Sequence, residues 1–513
     1  MINPNDLVYR GEGNNNIILA DNKGLIYRVR KTSLPAVLPT KKTRAFKKSH
    51  QITVLFGQHR MAQYFGPGFV HHFESIYVDS STLKAIKDRF QPSRPAFRLD
   101  RDVDVQTNRV LACPDATILP SHLVAYGKGP VLCVEIKPKF GAIPRGPERD
   151  PVEMATRRNA MFCIMQFHET KMRMWGRRSS YCPCDLFSGT PGRMVRALEA
   201  MLEVRQNNLR VFLNSRCVLN NRIDHLDDAL ADFFYCDQGD TATAECSTNT
   251  GVEANYYSSG DSVDCTPPLL SSGPEESSSD DSESYPNETC RIHLPRPIPL
   301  RHRLITDLIL AGLLSESPSS ASSVIKRSPH FRYDCDLHPH LPSPVLQDTS
   351  SSSSYVPSSV SRCCDLPLNS ALGRILNAQL ESSLSHQDMI EHYKRVAAYF
   401  EEHDISWTSY IAGKVTVNVE ETPSDLVRSL ELVEKHLVAM VARDCSVMLT
   451  FQRAKSDCPE GVLTVGGDCP CVPKTILNIS IVDLDPKQLS NLEERVESER
   501  RVVEQFLVEQ EKK

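Results

Sequence analysis

The sequence predicts an α+β fold carrying two long Ser-rich insertions whose composition reads as disordered. Three observations predict it. Short apolar runs bounded by turn residues read as strands near the start, the middle and the end of the chain. Longer stretches between them place apolar residues at helical spacing. Two tracts hold too little apolar surface to order themselves.

Taken in order, Ile17–Ala20 and Gly24–Val29 read as a two-stranded hairpin that follows the turn-rich Gly11-Glu12-Gly13-Asn14-Asn15-Asn16. Val110-Leu111-Ala112 and Val131–Val134 are further strands. Met154–Lys171 and Arg193–Arg205 have helical periodicity. Residues 237–297 turn to Ser, Asp, Glu, Thr and Gly. A helix is expected over about Arg301–Leu314; its apolar part carries Asp307 and is too short to span a membrane. A second Ser-rich tract fills 315–368. Order returns with a helical pair, Leu372–Leu384 and His386–Phe400. Ser424–Val441 is strongly amphipathic, with Leu426, Leu430, Val433, Leu437 and Val441 on one stripe. Cys445–Phe451 and Ile476–Val482 are β-rich, and helix closes the chain from Lys487 onward.

A chain of 513 residues has room for two or three domains or one large two-lobed enzyme. Its formal net charge of -5 argues against a dedicated nucleic-acid binder, so any basic function must be local. The 17 cysteines are scattered and the first residues are polar, so the thiols are expected to be reduced, in cytosol or nucleus. No nucleic-acid partner, no membrane insertion and a monomer are the expectations. Lys41-Lys42-x-Arg44-x-x-Lys47-Lys48 reads as a nuclear signal or as surface lysines on a helix.

Three constellations carry chemistry. The strand ending in Val134-Glu135-Ile136-Lys137-Pro138-Lys139 delivers two lysines, two residues apart. On extended backbone they point the same way, and an anionic, phosphorylated ligand is the simplest reason to tolerate that. Gly11-x-Gly13 with Asn15 and Asn16 lets backbone amides approach phosphates, with Arg28 and Arg30 on one face of the next strand. Asp444 immediately precedes one C-terminal strand, and Asp483 and Asp485 follow the other. If those strands pair antiparallel, the carboxylates meet. A cation then belongs among them, Mg²⁺ with ATP phosphates being the natural candidate, or one aspartate takes a proton from a hydroxyl nucleophile. Each motif alone also reads as an ordinary solvated strand end, hairpin or turn. The same holds for Gln206-Asn207-Asn208-Leu209-Arg210, a helix end followed by an arginine.

Together the segments resemble one family closely, the inositol-pentakisphosphate 2-kinases. The resemblance rests on Gly11-Glu12-Gly13, Glu135-Ile136-Lys137-Pro138-Lys139, Tyr181-Cys182-Pro183-x-Asp185-Leu186-Phe187-Ser188-Gly189, Gln206-Asn207-Asn208-x-Arg210, Arg443-Asp444-Cys445-Ser446-Val447-Met448 and Asp483-Leu484-Asp485-x-Lys487, in family order. It implies transfer of the ATP γ-phosphate to the axial 2-hydroxyl of inositol 1,3,4,5,6-pentakisphosphate, giving inositol hexakisphosphate. It implies a two-lobed fold distantly similar to protein kinases, with an N-terminal lobe over 1–120 and a C-terminal lobe over 121–236, 298–314 and 369–513. It implies that Gly11, Glu12, Gly13, Asn15, Asn16 and Arg28 hold the nucleotide phosphates. Glu135 would lie near the adenine, and Cys113 to Asp115 would form the hinge. Asp483 would bind Mg²⁺ with help from Asp485, and Asp444 would orient or deprotonate the hydroxyl beside Lys137. Lys137, Lys139, Arg94, Arg98, Asn207, Asn208, Arg210, Lys487 and Lys171 would surround the substrate phosphates.

The chain departs from the family pattern at Glu169, where a lysine is expected and Lys171 is the nearest substitute, and at Ser33, Asn491 and Arg495. Cys335, His338, His340, Cys363 and Cys364 lack the paired spacing of a zinc site, and none is expected. A scaffold that binds inositol phosphates without turnover, or a kinase for another small molecule or lipid, are the alternatives. A nuclear and cytoplasmic location is expected.

Overall fold

The computed structural model describes residues 2–33, 54–144, 148, 150–172, 176–235, 300–316, 331–332, 366–411, 413, 415–418, 420–467 and 473–511. The whole 237–297 tract, most of 315–368, the basic run at 41–48 and the cysteines and histidines at 335–364 lie outside these residues.

The chain is mixed helix and sheet, as its pattern predicts. Strands β1 (Val8–Glu12), β2 (Asn16–Ala20), β3 (Leu25–Ser33), β4 (Glu74–Tyr77), β5 (Arg101–Val103) and β6 (Arg109–Pro114) form an antiparallel sheet in the order β1-β2-β3-β6-β4, with β5 on the end of β3. Leu19, Val29 and Val110 from this sheet pack against Leu83, Ile86 and Phe90 of the helix Ser80–Phe90, making a small core of their own.

The segment after β6 crosses to a second sheet. Strand β7 (Gly127–Ile136) is followed by the two-residue β8 (Ile143–Pro144), then β9 (Leu209–Leu213) and β10 (Arg216–Leu219). Strand β11 (Phe331–Arg332) pairs with β8, and β12 (Ser446–Ala454), β13 (Thr464–Val465) and β14 (Thr475–Val482) complete the set. The order is β10-β9-β7-β12-β14-β13. Strands β7 and β12 are central and read as near-continuous apolar runs because both faces are covered. Val447, Leu449 and Phe451 face the large helical core, where Leu449 and Phe451 close on Gly312. Met448 points the other way, with Cys133 and Ala116.

The expected strands and most helices form. Met154–Lys171, however, is two helices, Pro151–Arg158 and Met161–Lys171. Asn159 ends the first: its backbone is extended, and both its N–H and its side-chain amide donate to Ala155 O at 3.0 Å. The helix expected over Leu372–Leu384 stops at Gln379, and the last helix runs over Leu492–Glu511. No described helix is long and apolar enough to cross a membrane.

Candidate active site

The antiparallel register of β12 and β14 pairs Ser446 with Val482. Asp444 therefore enters the sheet where Asp483 leaves it. Strand β7 lies on the other side of β12, with Ile136 opposite Val447, so its lysines emerge at the same edge.

Side-chain alternation along a strand does not account for that convergence, because β7 ends at Ile136 and Lys139 has φ +63°. The proline turn and the left-handed residue swing both ammonium groups inward instead. Lys137 Nζ lies 2.6 Å from Asp483 Oδ2, and Lys139 Nζ 3.2 Å from Asp444 Oδ1. Lys487 Nζ lies 2.6 Å from Asp444 Oδ2, and Arg28 reaches across from β3 to Asp485 at 2.7 Å. Asp483 is also left-handed, φ +63°. Such backbone in a non-glycine residue costs on the order of 1–3 kcal/mol and persists where surroundings over-determine it.

The surroundings are visible. Tyr181 Oη donates to Pro138 O at 2.6 Å. Gln379, fully buried, donates to Lys139 O at 2.8 Å and to Ala442 O at 3.1 Å, and accepts from Gly141 N at 3.0 Å. One amide thus ties the lysine turn to the end of the helix that presents Asp444. Ser446 Oγ sits between two acids, 3.0 Å from Glu135 Oε1 and 3.3 Å from Asp483 Oδ2. Ser446 and Gln379 were not singled out as site residues from the sequence. Ser446 stood within a quoted motif, whereas Gln379 carries no local signal.

Electrostatics follow the geometry. Burial pushes the Asp444 carboxyl up, but Lys139 and Lys487 outweigh it and hold the group well below the usual carboxylate range. Burial likewise raises Asp483, and Lys137 with Arg28 more than reverses it. Burial pulls Lys137 down, while Asp483 and Glu135 carry it above its ordinary value. Arg210, opposite Glu135 in the β7–β9 register, lies 3.4 Å from that carboxylate and is raised by it.

The glycine loop leaves β1 through a register shift between Tyr9 and Gly11, whose φ of +147° suits glycine. A Cβ on Gly11 or Gly13 would meet nothing within 4 Å, so the loop presents bare backbone. Asn15 and Asn16 hold it: Asn15 O accepts from Lys31 N at 2.8 Å, and Asn16 pairs with Arg30 in the β2–β3 ladder.

Several expected ligands sit elsewhere. Arg94 is buried and bonded to Glu12, so neither side chain faces the site; burial with a matched partner is the reason. The Asp115 carboxylate accepts from Thr117 N at 2.8 Å and Thr117 Oγ1 at 2.6 Å, closing its own turn between the sheets. Lys171 ends its helix beside Glu509, at 3.0 Å, on the last helix. Arg98 bonds Asn14 at the loop tip. Asn207 is exposed. Asn208 is buried with both amide atoms unpartnered, and its carbonyl accepts from Lys137 N at 2.9 Å.

Carboxylates and cations gathered at three strand ends suit phosphoryl transfer. The model of the inositol-pentakisphosphate 2-kinase family matches residues 9–501. The chain belongs to this family. Family membership makes it an enzyme, and a kinase family implies ATP. Its relatives include a Danio rerio inositol-pentakisphosphate 2-kinase, 26% identical over 98% of this chain and 93% of that protein. An Arabidopsis thaliana inositol-pentakisphosphate 2-kinase is 25% identical over 42% of this chain and 53% of its own length. A Drosophila melanogaster inositol-pentakisphosphate 2-kinase is 34% identical over 19% and 20%.

Proposed function

We propose that the chain transfers the γ-phosphate of ATP to the 2-hydroxyl of inositol 1,3,4,5,6-pentakisphosphate, giving inositol hexakisphosphate and ADP. The observation that carries this reading is the convergence of Lys137, Lys139 and Lys487 on Asp444 and Asp483 within a chain of this family. Two sheets with separate cores support a two-lobed arrangement distantly like protein kinases, the change of lobe falling between β6 and β7.

In the reaction, the hydroxyl oxygen bonds to the γ-phosphorus as the bond to the bridging oxygen breaks. Asp444, held ionised between two lysines, accepts the hydroxyl's hydrogen bond and aims its oxygen. A carboxylate so stabilised is a weak base, so orientation is its main work, and the hydroxyl proton passes late, through Asp444 to solvent. Lys137, Lys139, Lys487 and Arg210 bind the substrate phosphates. Each charge-assisted contact contributes about 1.5–3 kcal/mol, and a pentakisphosphate needs several. Arg28 and the Gly11–Gly13 amides hold the nucleotide phosphates. The donor set fits Mg²⁺: Asp483 and Asp485, two residues apart after β14, offer hard carboxylate oxygens, and Asp485 Oδ1 is buried without a partner. When bound there, the ion would neutralise charge on the transferring group. Incubation with ATP, Mg²⁺ and inositol pentakisphosphate tests the reading. Hexakisphosphate and ADP in equal amounts are expected; inositol-phosphate binding with no product would make the protein a scaffold instead.

A further inference from the structure

We infer that Glu12 and Arg94 are positioning residues, a buried clamp that sets where the glycine loop stands over the nucleotide. The inference rests on the nucleotide reading of that loop. Glu12 lies between Gly11 and Gly13, in the very turn whose amides must meet phosphate, yet its carboxylate is only 1% exposed. Arg94 grips it with two parallel bonds, Nε to Oε1 and Nη2 to Oε2, each 3.0 Å. Lys31, with a fully buried side chain, is the third partner.

The rest of the Arg94 guanidinium faces the segment that carries it. Nη2 donates to the carbonyl oxygens of Arg98 at 2.8 Å and Arg101 at 2.6 Å, and Nη1 to Gln91 Oε1 at 3.3 Å. One side chain therefore joins the edge strand β1 to residues 91–101. From outside, Arg101 Nη1 reaches Asn14 O at 3.3 Å and Asn15 Oδ1 at 3.0 Å, while Arg98 bonds the Asn14 side chain. The loop is tethered both beneath and beside.

Physical reasoning favours placement over bulk stability. A buried ion pair is weak evidence for stability, and a hydrophobic pair of similar volume often serves as well. Its distinctive property is directional: a bidentate fork accepts one geometry. A turn built on glycines in an edge strand is otherwise free to wander, and amides aimed at a phosphate tolerate about 0.5 Å of error. Lys31, spoken for by Glu12, is then no phosphate ligand.

The test is the nucleotide affinity of Glu12→Gln and Arg94→Lys, measured as ATP KM and as calorimetric binding of a non-hydrolysable ATP analogue. Both variants should raise the ATP KM about tenfold, in line with the cost of a misplaced group, and leave the KM for inositol pentakisphosphate within about twofold. Folded variants with unchanged ATP KM overturn the clamp. A rise confined to the inositol-phosphate KM also overturns it, because Arg94 would then contact that substrate. Should neither variant fold, Glu12→Asp, which keeps the charge but shortens the reach to Arg94, takes their place; an ATP KM raised about threefold supports the inference, and an unchanged one sinks it. Wild-type protein that binds no analogue overturns the nucleotide assignment together with the clamp, whereas binding in wild type and variants alike removes the clamp alone.

Discussion

Asp444 sits between two ammonium groups, and that determines how it responds to pH. Its folded-state pKa lies below the unfolded value of about 3.9, so the stability it contributes is fully present above roughly pH 4 and is lost as pH falls towards the folded value. The stability difference between wild type and Asp444→Asn should be flat from about pH 5 to 8 and shrink in acid, as urea melts at each pH would show. For the same reason kcat should have no acid limb from Asp444 above about pH 5. Asp444→Asn and Asp483→Asn should each lower kcat about 10²–10⁴-fold with the fold intact by circular dichroism. Lys137→Ala should raise the KM for inositol pentakisphosphate about tenfold or more, and that for ATP much less; equal effects would displace Lys137 from the substrate. At this scale the carboxylates were readable from their positions flanking two strands. Arg94 and Glu12 misled because sequence gives charge but not whether a charge already has a buried partner.

Among the elements, the strands are the most legible, because β7, β12 and β14 are short apolar runs; the antiparallel pairing of β12 with β14 stood only as a condition, and the place of β7 beside β12 is not written in the sequence. Extended backbone would put Lys137 and Lys139 on one face by alternation; in the structure Pro138 and a left-handed Lys139 bring them together instead. The break at Asn159 was hidden because apolar periodicity persists on both sides of it. Gln379 was out of reach altogether, since its bonds to Lys139 and Gly141 span about 240 residues of sequence. Gln379→Ala leaves the lysine turn and the end of the Ser424–Ala442 helix unconnected. It should cost about 1–3 kcal/mol in unfolding free energy and reduce kcat, while Gln379→Glu should fail to restore the bonds donated to Lys139 and Ala442.

Across the whole molecule, acidity overall and basicity at one sheet edge coexist because the site gathers its cations from positions far apart in the chain. The helices Leu226–Tyr235 and Leu300–Leu314 bracket the Ser-rich tract, and their facing ends touch: the Arg301 guanidinium stands 5.5 Å from the Tyr235 ring, and its Nη1 donates to Asp227 O at 3.2 Å. The chain thus leaves and returns at one place. Replacing residues 237–298 with a short Gly/Ser linker should leave turnover and melting temperature essentially unchanged, since loop length enters closure entropy only logarithmically; a large loss would give the tract a role in the fold. The pairing of Ser446 with Val482 has a last consequence. A strand mis-threaded by a single position would turn its core-facing residues outward and, in the same stroke, part Asp444 from Asp483. Assembly errors here cannot yield a slightly impaired enzyme: the molecule that packs is the molecule that reacts, and any other is both inert and exposed to degradation.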